Sequence, residues 1–448
     1  MSAPSAGSVD LRGVQATVVT LYRCPIAVHV PLAFGPADGA REFLRELRAL
    51  LTMADFDAGT AADPLVNVGI TCEGLSALGV DPGIIGALDT MYRTGPDALR
   101  LGDVPGSPSD PAHWWEGQFP TDAIHCMVHL YLRDAAAVDA AVEHVRDLAA
   151  RHGVRELRPR ADGSLLAGRS LGGQKVHFGY KDGISHPEIA WDDSPDTLTR
   201  VNFRNFLLGH ATDDYRSEPR DGPAADFVRD SFYGVFRWLY QDVAAFNRFL
   251  QAHGPALSAG DGEELLAAKL MGRWRDGTPL VLSPTRGGGA TDDNDFVYAA
   301  DPDGQRCPFS AHIRVVNPRD DPVDAIVGKI PRVIRRGMPY GPELTGTVDD
   351  GRDRGLLGVF LCADITDQIY KLTGWIRHND FRPSDARNPH AQDAIAGNRG
   401  EPGASTDFVL PTAGGEKRLP GLADFVRTKG TAFLLYPSDA TLRRLVDG

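Results

Sequence analysis

Residues 124–156 contain a strand–helix–strand unit that restricts the possible folds more than any other part of the chain. Apolar residues alternate over residues 124–132, which predicts a strand. Over residues 135–152 they recur every three or four positions on one face, which predicts a helix, and from residue 154 the pattern returns to that of a strand. This order and spacing are typical of a split βαβ, ferredoxin-like arrangement.

The second half of the chain repeats this organisation in coarse form, without a repeat of the sequence itself. Strands are predicted at residues 17–22, 65–71, 232–239, 356–361 and 431–436, and helices at residues 38–53, 74–78, 241–253 and 366–377, with a short helix at the C-terminus. His125 and His129 alternate with the apolar residues of their strand, so both are expected to face outward. The chain is therefore predicted to be an α+β protein.

Composition excludes several classes of partner. The chain has 448 residues, enough for two or three domain-sized units, and its net charge is −13. An acidic surface repels phosphate and anionic lipid, so neither nucleic acid nor a membrane is an expected partner. Its five cysteines are scattered without a CxxC pair, and no secretory signal is recognisable at the N-terminus. Both observations predict a cytoplasmic location, and the oligomeric state is left open.

The segment from residue 306 to residue 319 places His312 between two prolines. The residues after His312 alternate as in a strand. A neutral imidazole can ligate a metal, and one axial histidine is what a haem iron needs, because the porphyrin supplies the other four nitrogens. Cys307 lies five residues earlier, which is not a usual zinc-ligand spacing. Considered alone, an ordinary core histidine remains the alternative.

Two further segments carry charged residues in unusual settings. Asp182 lies between Gly179 and Gly183, which allow a tight turn, although a turn aspartate is a common structural feature. Arg335 and Arg336 are adjacent and cannot point the same way from a strand, so one can enter a pocket while the other is solvated or paired. A surface charge pair is the alternative for these arginines.

Together, the three segments supply the parts that peroxide chemistry needs. A bound peroxide needs one side chain to move a proton between its two oxygens, for which Asp182 is the candidate. It also needs a permanent positive charge where negative charge develops, which an arginine provides. His312 is the candidate ligand on the opposite face of the iron.

These segments resemble the dye-decolorizing peroxidase family. The family's GxxDG motif matches residues 179–183, its proximal-histidine segment matches residues 307–319, and its distal-arginine segment matches residues 335–340. The resemblance extends over most of the chain. It implies two ferredoxin-like subdomains, residues 1–200 and 201–448, with haem b between them.

The resemblance also implies roles for individual residues. It places the distal arginine at Arg335, with Arg336 as the second choice, and assigns Asp182 as its catalytic partner. His312 would be the iron ligand. The other implied haem-binding residues are Gly179, Lys181, Gly183, Ile184, Val359, Leu361 and Asp393, the last as a carboxylate bonded to the proximal histidine. The chain departs from the family pattern at His186, where glutamine is usual, at Lys181, where arginine is commoner, and at Gly358, where phenylalanine is usual.

The implied activity is oxidation of bulky aromatic, phenolic or dye-like substrates by hydrogen peroxide in one-electron steps. The first alternative is a haem-binding protein that releases, stores or delivers haem iron, with incidental peroxidase activity. The second is a structural relative that has lost haem.

Overall fold

The structure, a computed structural model, describes residues 9–55, 63–212, 214, 219–321, 329–378 and 392–447. Its strands are β1 (Ile26–Ala33), β2 (Leu65–Ile70), β3 (Cys126–Leu132), β4 (Arg155–Glu156), β5 (Leu166–Arg169), β6 (Glu188–Ala190), β7 (Arg200–Asn202), β8 (Phe232–Gln241), β9 (Ile334–Arg335), β10 (Met338–Tyr340), β11 (Gly355–Cys362), β12 (Asp407–Thr412), β13 (Gly415–Pro420) and β14 (Val426–Tyr436). Its helices are α1 (Ala37–Arg48), α2 (Cys72–Ala77), α3 (Pro82–Gly86), α4 (Thr90–Thr94), α5 (Ala98–Leu101), α6 (Val138–Arg151), α7 (Gly222–Val228), α8 (Val243–His253), α9 (Gly262–Met271), α10 (His312–Val316), α11 (Lys371–His378) and α12 (Asp439–Asp447). Across these described ranges, the helices lack the length and apolar character needed to cross a membrane.

One large sheet runs through the molecule, with its strands in the order β10-β11-β8-β14-β2-β3-β1-β4. In addition, β5 pairs with β1 and β9 pairs with β11. Each half of this sheet has the same order. When the strands of each half are numbered along the chain, they lie side by side in the order 2-3-1-4. In the first half these strands are β2, β3, β1 and β4 (with β5), and in the second half they are β10, β11, β8 and β14. Helices follow the first and third strand of each half. The two ferredoxin-like subdomains are therefore confirmed.

The two halves meet between β14 and β2, where Leu435 pairs with Ile70. Gln15, which is completely buried, clamps this junction. Its amide nitrogen donates to the carbonyls of Val68 at 2.9 Å and Pro437 at 3.0 Å, and its oxygen accepts the Val68 N–H at 2.9 Å. Side chains from both halves belong to one continuous apolar core, so the sheet and its core are shared.

Outside the segment of His312, two predictions about local structure are wrong. Residues 17–22 form turns and irregular backbone, and the first strand is instead β1, which is buried along its whole length. His129 does not face outward: its Nδ1 lies 2.7 Å from Nδ1 of His29, and its Nε2 lies 2.7 Å from the hydroxyl of Tyr436. Burial lowers the pKa of His29 to about 3. These histidines are neutral members of the core.

We expect Gln15→Leu to lower the free energy of unfolding by about 2–4 kcal/mol, because it leaves buried backbone groups of Val68 and Pro437 without partners. Urea denaturation followed by circular dichroism measures this change. The matched control is Gln118→Leu at an exposed position, where the expected effect is within about 0.5 kcal/mol. Equal effects of the two substitutions would contradict the stabilising role of Gln15 at the junction.

Candidate active site

His312 is the first residue of the helix α10. The prediction of a strand after His312 is therefore wrong. Five residues are too few to distinguish a helical from an alternating pattern, and buried bonds of Arg314 hold this short helix in place. The guanidinium of Arg314 is fully buried and donates to both carboxylate oxygens of Asp321, at 2.8 and 2.7 Å, and to the carbonyl of Cys307 at 2.8 Å. The position of His312 is thus fixed from two residues away.

Asp393 lies beside the imidazole of His312, as the family resemblance implies. The two are joined by a 2.7 Å bond between Nδ1 of His312 and Oδ2 of Asp393. Asp393 is completely buried, and its other oxygen accepts the N–H groups of Ile395 and Ala396, both at 2.8 Å. Burial raises the pKa of Asp393, but His312 and these N–H groups outweigh burial and leave the pKa below its ordinary value.

An ionised Asp393 determines which nitrogen of His312 is free. A carboxylate only accepts hydrogen bonds, so Nδ1 must carry the proton that it shares with Asp393. In the neutral ring, the lone pair is then on Nε2. The backbone N–H of Asp393 also donates to the carbonyl of Ile376 in α11 at 2.8 Å. The imidazole of His312 is therefore held in a defined orientation, with 25% of its side chain exposed.

The loop of Asp182 depends on two glycines in left-handed conformations, with φ of 86° at Gly179 and 83° at Gly183. The N–H of Asp182 donates to the carbonyl of Gln174 at 2.7 Å. Lys181 remains in this loop, but its amine pairs with the exposed Asp292. The side chain of Lys181 is thus held toward that neighbouring loop.

Arg335 and Asp182 come together as predicted. The Nη2 atom of Arg335 lies 3.5 Å from Oδ1 of Asp182 and donates to Oγ of Ser185 at 2.9 Å. About one third of each charged side chain is exposed, 33% for Arg335 and 38% for Asp182. Ser185, which the sequence analysis did not single out, orients the guanidinium, and its only sequence signal is its position two residues after the GxxDG motif.

Arg336 directly follows β9, and its guanidinium has different partners from that of Arg335. Its Nε atom donates to the carbonyl of Thr17 at 2.7 Å, and its Nη2 atom donates to the carbonyl of Val18 at 3.3 Å. Burial lowers the pKa of Arg336 to about 10, which still leaves the side chain charged near neutral pH. The alternation expected for two adjacent strand residues therefore separates a partly open Arg335 from a buried, structural Arg336.

The register of β11 corrects the assignment of Val359 and Leu361 as distal contacts. Phe360 pairs with Arg335, and directly paired residues project from the same face. Val359 and Leu361 project from the opposite face, where both are buried in the core. A Cβ atom at Gly358 would lie 2.8 Å from the Phe360 ring, so Phe360 covers the space next to that glycine.

A short segment after α9 touches the surroundings of both His312 and Asp182. A Cβ atom at Gly272 would lie 2.4 Å from Cγ1 of Ile313, the neighbour of His312. The carbonyl of Arg275 accepts the N–H of Lys181 at 2.9 Å. A Cβ atom at Gly277 would lie 2.4 Å from Cδ1 of Ile184. Three residues of extended chain span about 10 Å, so the histidine segment and the aspartate loop converge on one region.

Similarity to known proteins agrees with this geometry. The chain is 31% identical over 380 residues to a dye-decolorizing peroxidase of Mycena epipterygia, covering 78% of this chain and 68% of that protein. It is 30% identical to the multifunctional dye peroxidase of Amycolatopsis sp., covering 92% of this chain and 91% of that protein. The structure of an ancestral D-type dye-decolorizing peroxidase matches with a TM-score of 0.81 at 26% identity, covering 98% of this chain and 99% of the other.

No protein-family model matches the chain. The identity and coverage of the relatives nevertheless show that the chain belongs to the dye-decolorizing peroxidase family. It is therefore a peroxidase, and the proteins of this family are haem enzymes.

The different settings of the two arginines lead to a prediction about stability. We expect Arg336→Leu to lower the free energy of unfolding by about 2–3 kcal/mol, because buried carbonyls of Thr17 and Val18 lose their donor. Arg335→Leu is its matched control and is expected to change the free energy of unfolding by less than about 1 kcal/mol. Urea denaturation of both variants provides the comparison, and a larger loss for Arg335→Leu would refute this assignment.

Proposed function

We propose that the chain is a haem b peroxidase that uses hydrogen peroxide to oxidise bulky aromatic, phenolic or dye-like substrates in one-electron steps. The observation that carries the proposal is the convergence of a carboxylate-bonded histidine and an aspartate–arginine pair on the segment after α9. The names of the relatives, which describe dye peroxidases, support the substrate class. They also favour this function over release, storage or delivery of haem iron.

A single histidine with a free ring nitrogen suits haem, and His312 is the residue that would bind the haem iron. Its Nε2 lone pair is available because Asp393 engages Nδ1. Gly179, Gly183 and Ile184 would approach the group through the backbone and side chain of the Asp182 loop. When bound, haem supplies an iron that takes up the oxidising equivalents of peroxide.

The proposed work of the distal side chains follows from their chemistry. The Asp182 carboxylate accepts a proton from one peroxide oxygen and returns it to the other. Arg335 provides a positive charge that proton loss cannot remove, and Ser185 keeps its guanidinium near that carboxylate. Phe360, in register with Arg335, limits the space beside Gly358.

The wider assignments belong to the same proposal. We divide the chain into subdomains at residues 1–200 and 201–448, which the repeated strand order of the two halves supports. A cytoplasmic location is supported by the five cysteines, all of which are buried as free thiols. Hydrogen peroxide and a small aromatic reductant are the proposed partners.

We expect His312→Ala to fold but to lose the Soret band at stoichiometric haem, because the iron loses its protein ligand. Absorption spectra of the purified variant and of the exposed control His144→Ala measure this effect. If His312→Ala keeps the parent spectrum and full haem content, another residue is the ligand.

Asp393→Asn should retain haem and raise the iron reduction potential. The substitution removes a negative charge from the far nitrogen of His312, and a carboxylate there favours the higher oxidation state. Spectroelectrochemical titration measures the potential. An unchanged potential would return Asp393 to a purely structural role.

Removing either distal side chain should slow the reaction with peroxide while haem is retained. Arg335→Leu loses charge stabilisation worth about a hundredfold in rate, and Asp182→Asn loses proton transfer worth about a hundredfold to ten thousandfold. Stopped-flow mixing with peroxide measures the first spectral change of the haem-loaded protein. The control is Asp193→Asn, whose side chain is 87% exposed. Parent rates in both distal variants would reject the proposed mechanism.

A further inference from the structure

His186 lies beside the Asp182–Arg335 pair but has no role in the mechanism above. It follows Ser185, whose hydroxyl accepts the hydrogen bond of Arg335. A Cβ atom at Gly183 would lie 4.0 Å from Cδ2 of His186, so the ring packs over the Asp182 loop. His186 is therefore close to the charged side chains of Asp182 and Arg335.

The ring of His186 has two different edges. Its Nδ1 atom is buried and has no hydrogen-bond partner within the ranges that the structure describes. The side chain as a whole is only partly buried, and Nε2 is not among the buried atoms without a partner. The open part of the ring therefore includes Nε2, whereas Nδ1 faces packed protein.

Burial and two nearby arginines keep the ring of His186 neutral. Burial, Arg335 and Arg336 lower the pKa of His186, against the smaller opposing effect of Asp182, and the resulting pKa is about 4. A neutral imidazole carries one N–H and one lone pair. A buried N–H without an acceptor is costly, so the proton belongs on the open Nε2 and the lone pair on the buried Nδ1.

We propose that His186 is a further hydrogen-bond donor of the active site, which holds an anionic or oxygen-bearing ligand through its Nε2–H group. This inference rests on the proposed function. His186 does not replace Asp182 as the proton acceptor, since its lone pair is on the buried nitrogen. The site then divides into one acceptor, Asp182, and two donors, Arg335 and His186.

The family's usual residue at this position provides a sharp test. A glutamine side chain carries its NH₂ group at a reach comparable to that of Nε2, so His186→Gln keeps a donor, whereas His186→Leu removes it. The probe is fluoride, an anion that accepts hydrogen bonds when it binds ferric haem. Optical titration of the haem-loaded protein at pH 6 measures its affinity without any turnover.

We expect His186→Leu to bind fluoride about threefold to tenfold more weakly than the parent, and His186→Gln to remain within about twofold. The exposed control His144→Leu should match the parent. Equal affinities of His186→Leu and the parent would overturn the proposal, as would a loss in His186→Gln as large as that in His186→Leu.

A second measurement applies even if His186→Leu fails to take up haem. Below about pH 4.5 the parent ring begins to gain a second proton and a positive charge, which should strengthen fluoride binding relative to His186→Gln. Protonation of fluoride itself cancels in this ratio. Fluoride binding that weakens in the parent relative to His186→Gln as the pH falls would overturn the proposal, because a second N–H group and a positive charge beside the ligand can only favour an anion.

The proposed function can be judged separately in the same samples. A parent protein with a Soret band and peroxide turnover, but with no effect of His186 substitution on fluoride, would reject only the role of His186. A parent protein that cannot take up haem would overturn the proposed function and this inference together.

Discussion

The bond between His312 and Asp393 is the interaction on which the rest of the site depends. It joins residues 81 positions apart, and it requires a carboxylate to stay ionised although its side chain is completely buried. Two backbone N–H groups and the imidazole outweigh the cost of burial. The buried Arg314 holds α10 on one side, and α11 anchors the Asp393 backbone on the other. The elements around the site thus serve to orient one nitrogen lone pair.

Arg335, the last residue of β9, and the adjacent Arg336 point in different directions. Arg335 faces Asp182 and Ser185, whereas Arg336 donates its hydrogen bonds to backbone carbonyls inside the molecule. This separation leaves one arginine partly open, where it can act on a ligand. Burial lowers the pKa of His186, and both guanidinium groups lower it further, so the two arginines also influence the protonation state of the loop.

Sequence patterns failed where both faces of an element are buried. In β11, apolar residues continue on both faces, so alternation could not reveal which residues share the face of Arg335. Val359 and Leu361 were assigned to the wrong face for this reason. His129 was misplaced because a polar residue in an alternating strand normally faces water, whereas here His29 and Tyr436 satisfy both ring nitrogens within the core.

By itself, the sequence determined the ferredoxin-like order of elements, because hydrophobic periodicity is local. It also supplied candidates for the reactive side chains, because peroxide chemistry needs a ligand, a proton carrier and a fixed charge. It also required Arg335 and Arg336 to point in opposite directions. The tertiary structure shows the contacts that the family resemblance had implied, between Arg335 and Asp182 and between Asp393 and His312. It alone decided which nitrogen of His186 is open. Such contacts join residues far apart in the chain, as Arg335 and Ser185 do across 150 positions, and local hydrophobic patterns carry no information about them.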